Sequence, residues 1–322
     1  MNRLLVFLTG CLVVFLGLAA AGGAEDPVLL VANKNGNSLY VVDAASLSVT
    51  DSVATGAGPH EVAAAPEARR AYVANYAAGT ISVIDVDDGT EEDRWAVDGY
   101  SRLHGIAVGP AEEHVYVTAE AQQAVLELVA ASGAVDRVFE TGQDATHMLA
   151  VTSDGASLFA TSIGSGTASK INLDTGELVA HTETGAGAEG VAVTPTDEAV
   201  WVTNRADDTV SILDAASASV VDSLAVPGFP IRVAFSPDGE HALVSAPRAG
   251  EVALFDVEDA RVSTRLDVGE KPIGVLAPTT ARAFVANSGS GTVNVIDLDS
   301  QSVVDTFSAG RGPDGMAYLP AK

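Results

Sequence analysis

Short apolar runs, separated by turn-forming residues, cover almost the whole chain. From residue 104 onward they read HGIAVGP, HVYVT, AVLELVA and DRVFET. The separators are of a few kinds, such as SDG at 153–155, DTG at 174–176, PDG at 237–239 and GSGT at 289–292. Runs this short, spaced about 8–12 residues apart, predict strands of an all-β protein. No helical spacing of apolar residues recurs outside the N-terminal segment.

The pattern repeats. Its anchors are LLVAN at 29–33, YVAN at 72–75, YVTA at 116–119, LFATS at 158–162, WVTN at 201–204, LVSA at 243–246 and FVAN at 284–287. Corresponding residues are 41 to 44 positions apart. Four strands in a unit of that length make one blade of a β-propeller, and seven units make a seven-bladed ring. The first unit starts on a second strand, PVLLVAN, and the chain ends on a first strand, DGMAYLP. The C-terminal strand is therefore expected to complete the N-terminal blade, leaving no open edge in the ring.

Residues 1–24 depart from the repeat. MNR is a short positive stretch, LLVFLTGCLVVFLGLAAA is continuously apolar, and small residues precede the first acids. This predicts a secretory signal peptide cut after Ala24, with one propeller domain over 25–322. The apolar stretch is also long enough for a retained anchor. LTGC at 8–11 resembles a lipoprotein box, but cleavage there would leave a very short apolar region before it. Cys11 is the only cysteine, so a cleaved chain has no disulfide, thiolate catalyst or CxxCH haem attachment.

Composition narrows the functions. The 322 residues are 47% apolar, enough for a large core, and carry a net charge of −26. Such acidity keeps a protein soluble and repels polyanions. Nucleic-acid binding needs cations against phosphates and is not expected. Acidity with few lysines suits a saline setting and equally an ordinary acidic exported protein. The expectation is an exported, periplasmic or extracellular monomer that does not stay on a membrane once cleaved.

YVAN…GTISVID, WVTN…DTVSILD and FVAN…GTVNVID resemble the YVTN-type β-propeller repeat family, over essentially all of residues 28–320. The resemblance implies an exported or cell-surface propeller and is specific for fold, not for function. Relatives by fold include lactonases and copper or haem d1 enzymes. The third unit departs most, because EAQQAVLELVAAS lacks both the Gly-Thr and the Ile-Asp.

The repeat also sorts structural from functional positions. The recurring Asp43, Asp85, Asp214, Asp256 and Asp297 are expected to hold the turns that follow them. DVDDGTEED at 85–93 is an outer hairpin turn, since its glycine is misplaced for a calcium loop. Ala63, Ala107, Ala150, Ala192, Ala234 and Ala317, with Leu276 as the exception, fit the crowding of first strands near the axis.

One position varies in chemistry within this constant frame. His60 aligns with His104, His147, Glu189, Ile231, Ile273 and Asp314, each at the start of a first strand and so at one mouth of the channel. Round the ring this gives an arc of Asp, three His and Glu beside two Ile. The next position is Gly105, Gly190, Gly274 or Gly315 in four units. Glu61, Met148 and Arg232 replace it in the others, with Glu61 and Arg232 roughly opposite each other. Lys34, Tyr76, Glu120 and Arg205 begin loops on the same face and form an outer ring. His114, His181 and His241 fit solvated or hydrogen-bonded loop histidines.

Convergent polar groups at a channel mouth suit a small ligand, a metal ion or a partner protein. Three imidazoles, His60, His104 and His147, with Glu189 and Asp314 beside them, suit a divalent zinc or copper ion. Glu61, Arg232, Lys34, Tyr76, Glu120 and Arg205 are the candidate ligand-binding residues. The alternative is a metal-assisted or lactonase-like hydrolase at the same mouth, with Glu61 or Glu189 as base and Arg232 holding a substrate carboxylate. No Ser-His-Asp order or nucleophile elbow points to covalent catalysis. A scaffold with protein contacts alone is the third reading.

Overall fold

Each anchor becomes the second strand of a four-stranded antiparallel sheet. A computed structural model describes residues 26–322, in which seven such sheets form the ring. The signal peptide expected over 1–24 lies outside the described residues. Among those described, no helix is long and apolar enough to cross a membrane.

The ring closes as the chain ends imply. The first blade holds strands Val28–Asn33, Ser38–Asp43 and Ser48–Ala54, and its innermost strand is Pro313–Leu319. Leu319 lies opposite Val28 and Met316 opposite Val31. The other six blades follow in order over 59–96, 103–140, 146–183, 188–225, 233–267 and 272–308.

Second and third strands are buried on both faces, because a neighbouring blade covers each. Their sequences are accordingly apolar runs, as in RAYVAN and TISVID. Fourth strands face solvent and alternate poorly, as in TEEDRWA. The apolar core divides into seven clusters, one between each pair of adjacent blades. The cluster of Leu29, Val31, Phe284 and Val295 joins the last blade to the first.

Small residues on the first strands face large ones on the second. Ala63 pairs with Tyr72, Ala107 with Tyr116, Ala150 with Phe159 and Ala192 with Trp201. The wide side chains fill the wedge between blades, and alanine leaves room for them near the axis. Leu276, the exception, lies opposite Phe284. The recurring aspartates hold their turns, with Asp43 Oδ1 accepting from the Ser46 amide at 2.6 Å and Asp85 Oδ1 from the Asp88 amide at 2.7 Å.

A hydroxyl at the third anchor residue fastens one blade to the next. Thr118 Oγ1 donates to the His147 carbonyl at 2.6 Å, Thr203 Oγ1 to the Ile231 carbonyl at 3.0 Å and Ser245 Oγ to the Ile273 carbonyl at 2.7 Å. Thr161 donates in the same way to the Glu189 carbonyl. Thr118, Thr203 and Ser245 also accept an amide from their own first strand, at Gly105, Gly190 and Arg232. Thr203→Val should cost about 1–3 kcal/mol, since it leaves the buried Gly190 amide without a partner and takes from the Ile231 carbonyl the shorter of its two side-chain hydrogen bonds. Urea denaturation checks this, and a loss near zero would remove the fastening role.

Candidate functional site

All seven positions aligned with His60 meet at one end of the channel. With Lys34, Tyr76, Arg205, Arg232 and Ser288 they line a cavity of about 380 Å³. Ile231 differs locally. Its strand starts only at Val233, after the prolines of VPGFP, although the Ile231 amide still reaches the Ser245 carbonyl at 3.1 Å.

The glycines beside these positions answer to ring packing. A Cβ at Gly274 would lie 2.1 Å from the Asp314 carbonyl oxygen, and one at Gly190 would lie 2.3 Å from that of Ile231. The four first strands that carry glycine here, at Gly105, Gly190, Gly274 and Gly315, thus approach the next blade more closely than a side chain permits. Glu61 and Arg232 depart from this frame, and their side chains meet across the axis. Arg232 Nη2 and Nε donate to Glu61 Oε1 at 2.6 and 3.1 Å, and Nη1 reaches Glu189 Oε1 at 3.3 Å. Both Glu61 and Arg232 are more than nine-tenths buried.

The three imidazoles form a stacked row. Ring centroids are 4.9 Å apart between His60 and His104 and 3.6 Å between His104 and His147. Tyr76 closes the row at 4.8 Å from His60. Local partners hold the outer rings, His60 Nδ1 at 2.9 Å from the Gly58 carbonyl and His147 Nδ1 at 3.2 Å from Glu120 Oε2.

The outer ring pairs with the inner one, as its common face implied. Arg205 Nη1 donates to Glu189 Oε2 at 2.5 Å, and Lys34 Nζ lies 3.7 Å from Asp314 Oδ2. Tyr76 donates to Glu120 Oε1 at 3.1 Å, and Arg102 reaches the same oxygen at 3.3 Å.

Burial sets the protonation of the mouth. It lowers His60 to about 4, with the Lys34 charge adding to the effect. It holds His104 well below the usual imidazole range, helped by the neighbouring His147. Burial pushes Glu61 and Asp314 up despite Arg232. On Glu189 burial is outweighed by His147, Arg232 and Arg205, which keep it at about 2. Arg232 stays protonated because its three carboxylates outweigh its burial.

Two buried polar atoms at this mouth have no partner, Nδ1 of His104 and Oδ1 of Asp314. The residues are 2% and 3% exposed. The repeat supplies a control. Oδ1 of Asn33, Asn75, Asn204 and Asn287 is also unpartnered, but it recurs at one anchor position and so belongs to the blade. His104 and Asp314 have no such repetition.

The geometry corrects the sequence reading in three places. The donor atoms of His60, His104 and His147 do not converge on a metal-sized point, because the rings lie against one another. Among the described residues, the group of three ligand-type residues whose atoms all lie within 4.8 Å of one another is His114, Glu127 and Asp136. That group is a poor cation site, since Arg137 already grips both oxygens of Glu127 and Tyr116 donates to it at 3.0 Å. Second, Arg232 is committed to Glu61 and Glu189 and is not open to hold a substrate carboxylate, and Glu61 does not line the cavity. Third, His114, His181 and His241 stand on strands, and His181 Nδ1 is 2.9 Å from Ser169 Oγ. Ser288 lines the cavity as well. It follows the anchor FVAN just as Lys34, Tyr76 and Arg205 follow theirs, so the repeat carried the signal.

A family model described as a YNCE-like beta-propeller matches residues 108–283. Proteins named uncharacterized protein YncE, from Salmonella typhimurium and Salmonella typhi, are 26% identical over 139 residues. That match spans 42% of this chain and 39% of theirs. A chain of Kuenenia stuttgartiensis hydrazine synthase superposes with a TM-score of 0.75 at 21% identity, covering 88% of this chain and 99% of that one. A functionally unknown protein from Desulfotomaculum acetoxidans gives 0.77 at 13%, covering 92% and 100%. At those identities the structures speak for the fold alone. With the repeat, the closed ring and a family match over more than half its length, the chain belongs to the YNCE-like beta-propeller family.

Proposed function

We propose that this propeller is an exported binding protein whose channel mouth receives a small polar ligand. One observation carries the reading. His104 and Asp314 line the cavity, and His104 Nδ1 and Asp314 Oδ1 are buried without partners. Each such group costs about 1–3 kcal/mol, a cost that a ligand able to bond both would offset. The fixed walls support it: the Arg232–Glu61 pair closes the floor, and the paired outer ring holds the rim in place.

Native mass spectrometry of untagged protein tests the reading. A non-covalent adduct is expected on the wild type and not on the paired variant His104→Phe, Asp314→Asn. No adduct on either, or the same adduct on both, counts against it.

The neutral imidazoles also predict a pH dependence. The folded pKa of His60 lies below that of a free imidazole, so its neutral form stabilises the fold above about 6.5. That contribution, about 3 kcal/mol, is lost as pH falls toward 4. His104 acts in the same direction. Glu61 and Asp314 act oppositely, since burial favours their protonated forms. The wild type should therefore lose more stability between pH 7 and 4.5 than a variant carrying His60→Phe and His104→Phe. Equal losses in urea denaturation would contradict neutral, buried imidazoles.

A further inference from the structure

The two faces of the ring carry very different charge. Among the described residues, loops on the mouth face hold seven cations and six side-chain carboxylates, whereas the loops and chain ends on the opposite face hold two cations and sixteen side-chain carboxylates. The two on the opposite face, Arg69 and Lys322, both pair with Asp87. In a protein with 43 acids and 17 bases, the mouth is the end that repels an anion less.

The mouth cations are not spread evenly. Arg248, Lys271, Arg311 and Lys34 stand on successive connections of the sixth, seventh and first blades. Arg248, Lys271 and Arg311 are exposed and form no ion pair with any described residue. Scarcity of acids cannot explain this. Phe229 holds the end of the arc in place, with the Arg248 guanidinium 3.8 Å and that of Arg205 5.3 Å from its ring centre.

Of these cations Arg311 lines a second cavity of about 500 Å³, together with Asn35, the Ser288–Gly291 loop, Gly310 and Gly312. Ser288 lines both cavities, so the two adjoin. The carboxylates of the mouth do not oppose an anion fully, because Arg232, Arg205 and Lys34 each face one of them. What is left unanswered is three exposed cations, Arg248, Lys271 and Arg311, and in the adjoining cavity an acceptor on Asp314 and a ring nitrogen on His104.

We propose that the mouth takes a small hydroxylated organic anion, its acidic group beside Arg311, with Lys271 and Arg248 adding charge from neighbouring connections, and a hydroxyl toward Asp314 and His104. This rests on the binding reading above and narrows it to a ligand class. A carboxylate alone would leave Asp314 without a donor, and a neutral polyol would leave the arc unused. A site that hydrogen-bonds a hydroxyl rejects the analogue lacking it, since its own buried groups are then stranded.

Isothermal titration calorimetry of the folded chain at pH 7 and low salt tests the proposal with two pairs of probes. Citrate is compared with tricarballylate, and tartrate with succinate. The members of each pair differ in hydroxyl groups, and glycerol serves as the neutral control. At least one hydroxy acid should bind at least about tenfold more tightly than its partner, and more tightly than glycerol. Arg311→Gln, on an exposed side chain, should weaken it by about two- to fivefold, and added salt should weaken it further. Asp314→Asn should reduce the preference for the hydroxyl. Absence of binding by every anion, or equal binding within both pairs, overturns the proposal. So does an affinity unchanged by both salt and Arg311→Gln. If native mass spectrometry finds a neutral or cationic adduct that His104→Phe removes, the ligand class falls while the binding reading stands.

Discussion

Arg232→Met is expected to destabilise the folded chain by about 3–5 kcal/mol at pH 7.5. The guanidinium is 7% exposed and sits among Glu61, Glu189 and Asp314, themselves 8%, 5% and 3% exposed. Methionine fills much the same volume and leaves three buried carboxylates without their common counter-charge. The deficit relative to the wild type should shrink as pH falls to 5, because Glu61 and Asp314 already bind protons more readily than exposed acids. Adding Glu61→Leu to Arg232→Met should restore part of the loss, since removing both partners of a buried pair costs far less than removing one. Urea denaturation at the two pH values checks all three statements. A single variant within about 1 kcal/mol of the wild type would mean that the cross-channel pair does not hold the mouth together.

Deleting residues 312–322 should abolish cooperative unfolding. The deletion removes the strand Pro313–Leu319, and with it the partner of Val28–Asn33. It also opens two of the inter-blade clusters, taking Ala317 and Leu319 from one and Met316 and Tyr318 from the other. An open ring exposes the first blade as a bare apolar edge, a template for aggregation. The expected result is a broad thermal transition or insoluble protein. A truncated chain that melted like the full one would show that ring closure contributes little to stability.

The fold was legible because the repeat states it seven times. LLVAN and FVAN are each ambiguous alone, but a shared step from one to the next fixes blade length and strand phase. The mouth residues followed from that phase, since a residue aligned with His60 must occupy the same height in its own blade. Side-chain direction did not follow. Whether His60, His104 and His147 aim at one point or pack side by side as tilted rings depends on what captures their nitrogens. Here those captors are the Gly58 carbonyl and Glu120, 2 and 27 positions away in sequence. The meeting of Glu61 with Arg232 was half legible. Their blades are opposite by count, but that the channel is narrow enough for a hydrogen bond of 2.6 Å depends on packing. The hydroxyls of Thr118, Thr161, Thr203 and Ser245 were visible as the variable third letter of the anchor, alternating with Ala32, Ala74 and Ala286. Their role needs the neighbouring blade, which a single unit does not show.

The binding reading is tested most directly by electron density at the mouth in a high-resolution crystal structure of untagged protein. The account predicts a molecule larger than water within hydrogen-bond distance of both His104 Nδ1 and Asp314 Oδ1. Ordered water alone satisfying those two atoms, with nothing else in the cavity, would contradict it and make the mouth a closed structural plug.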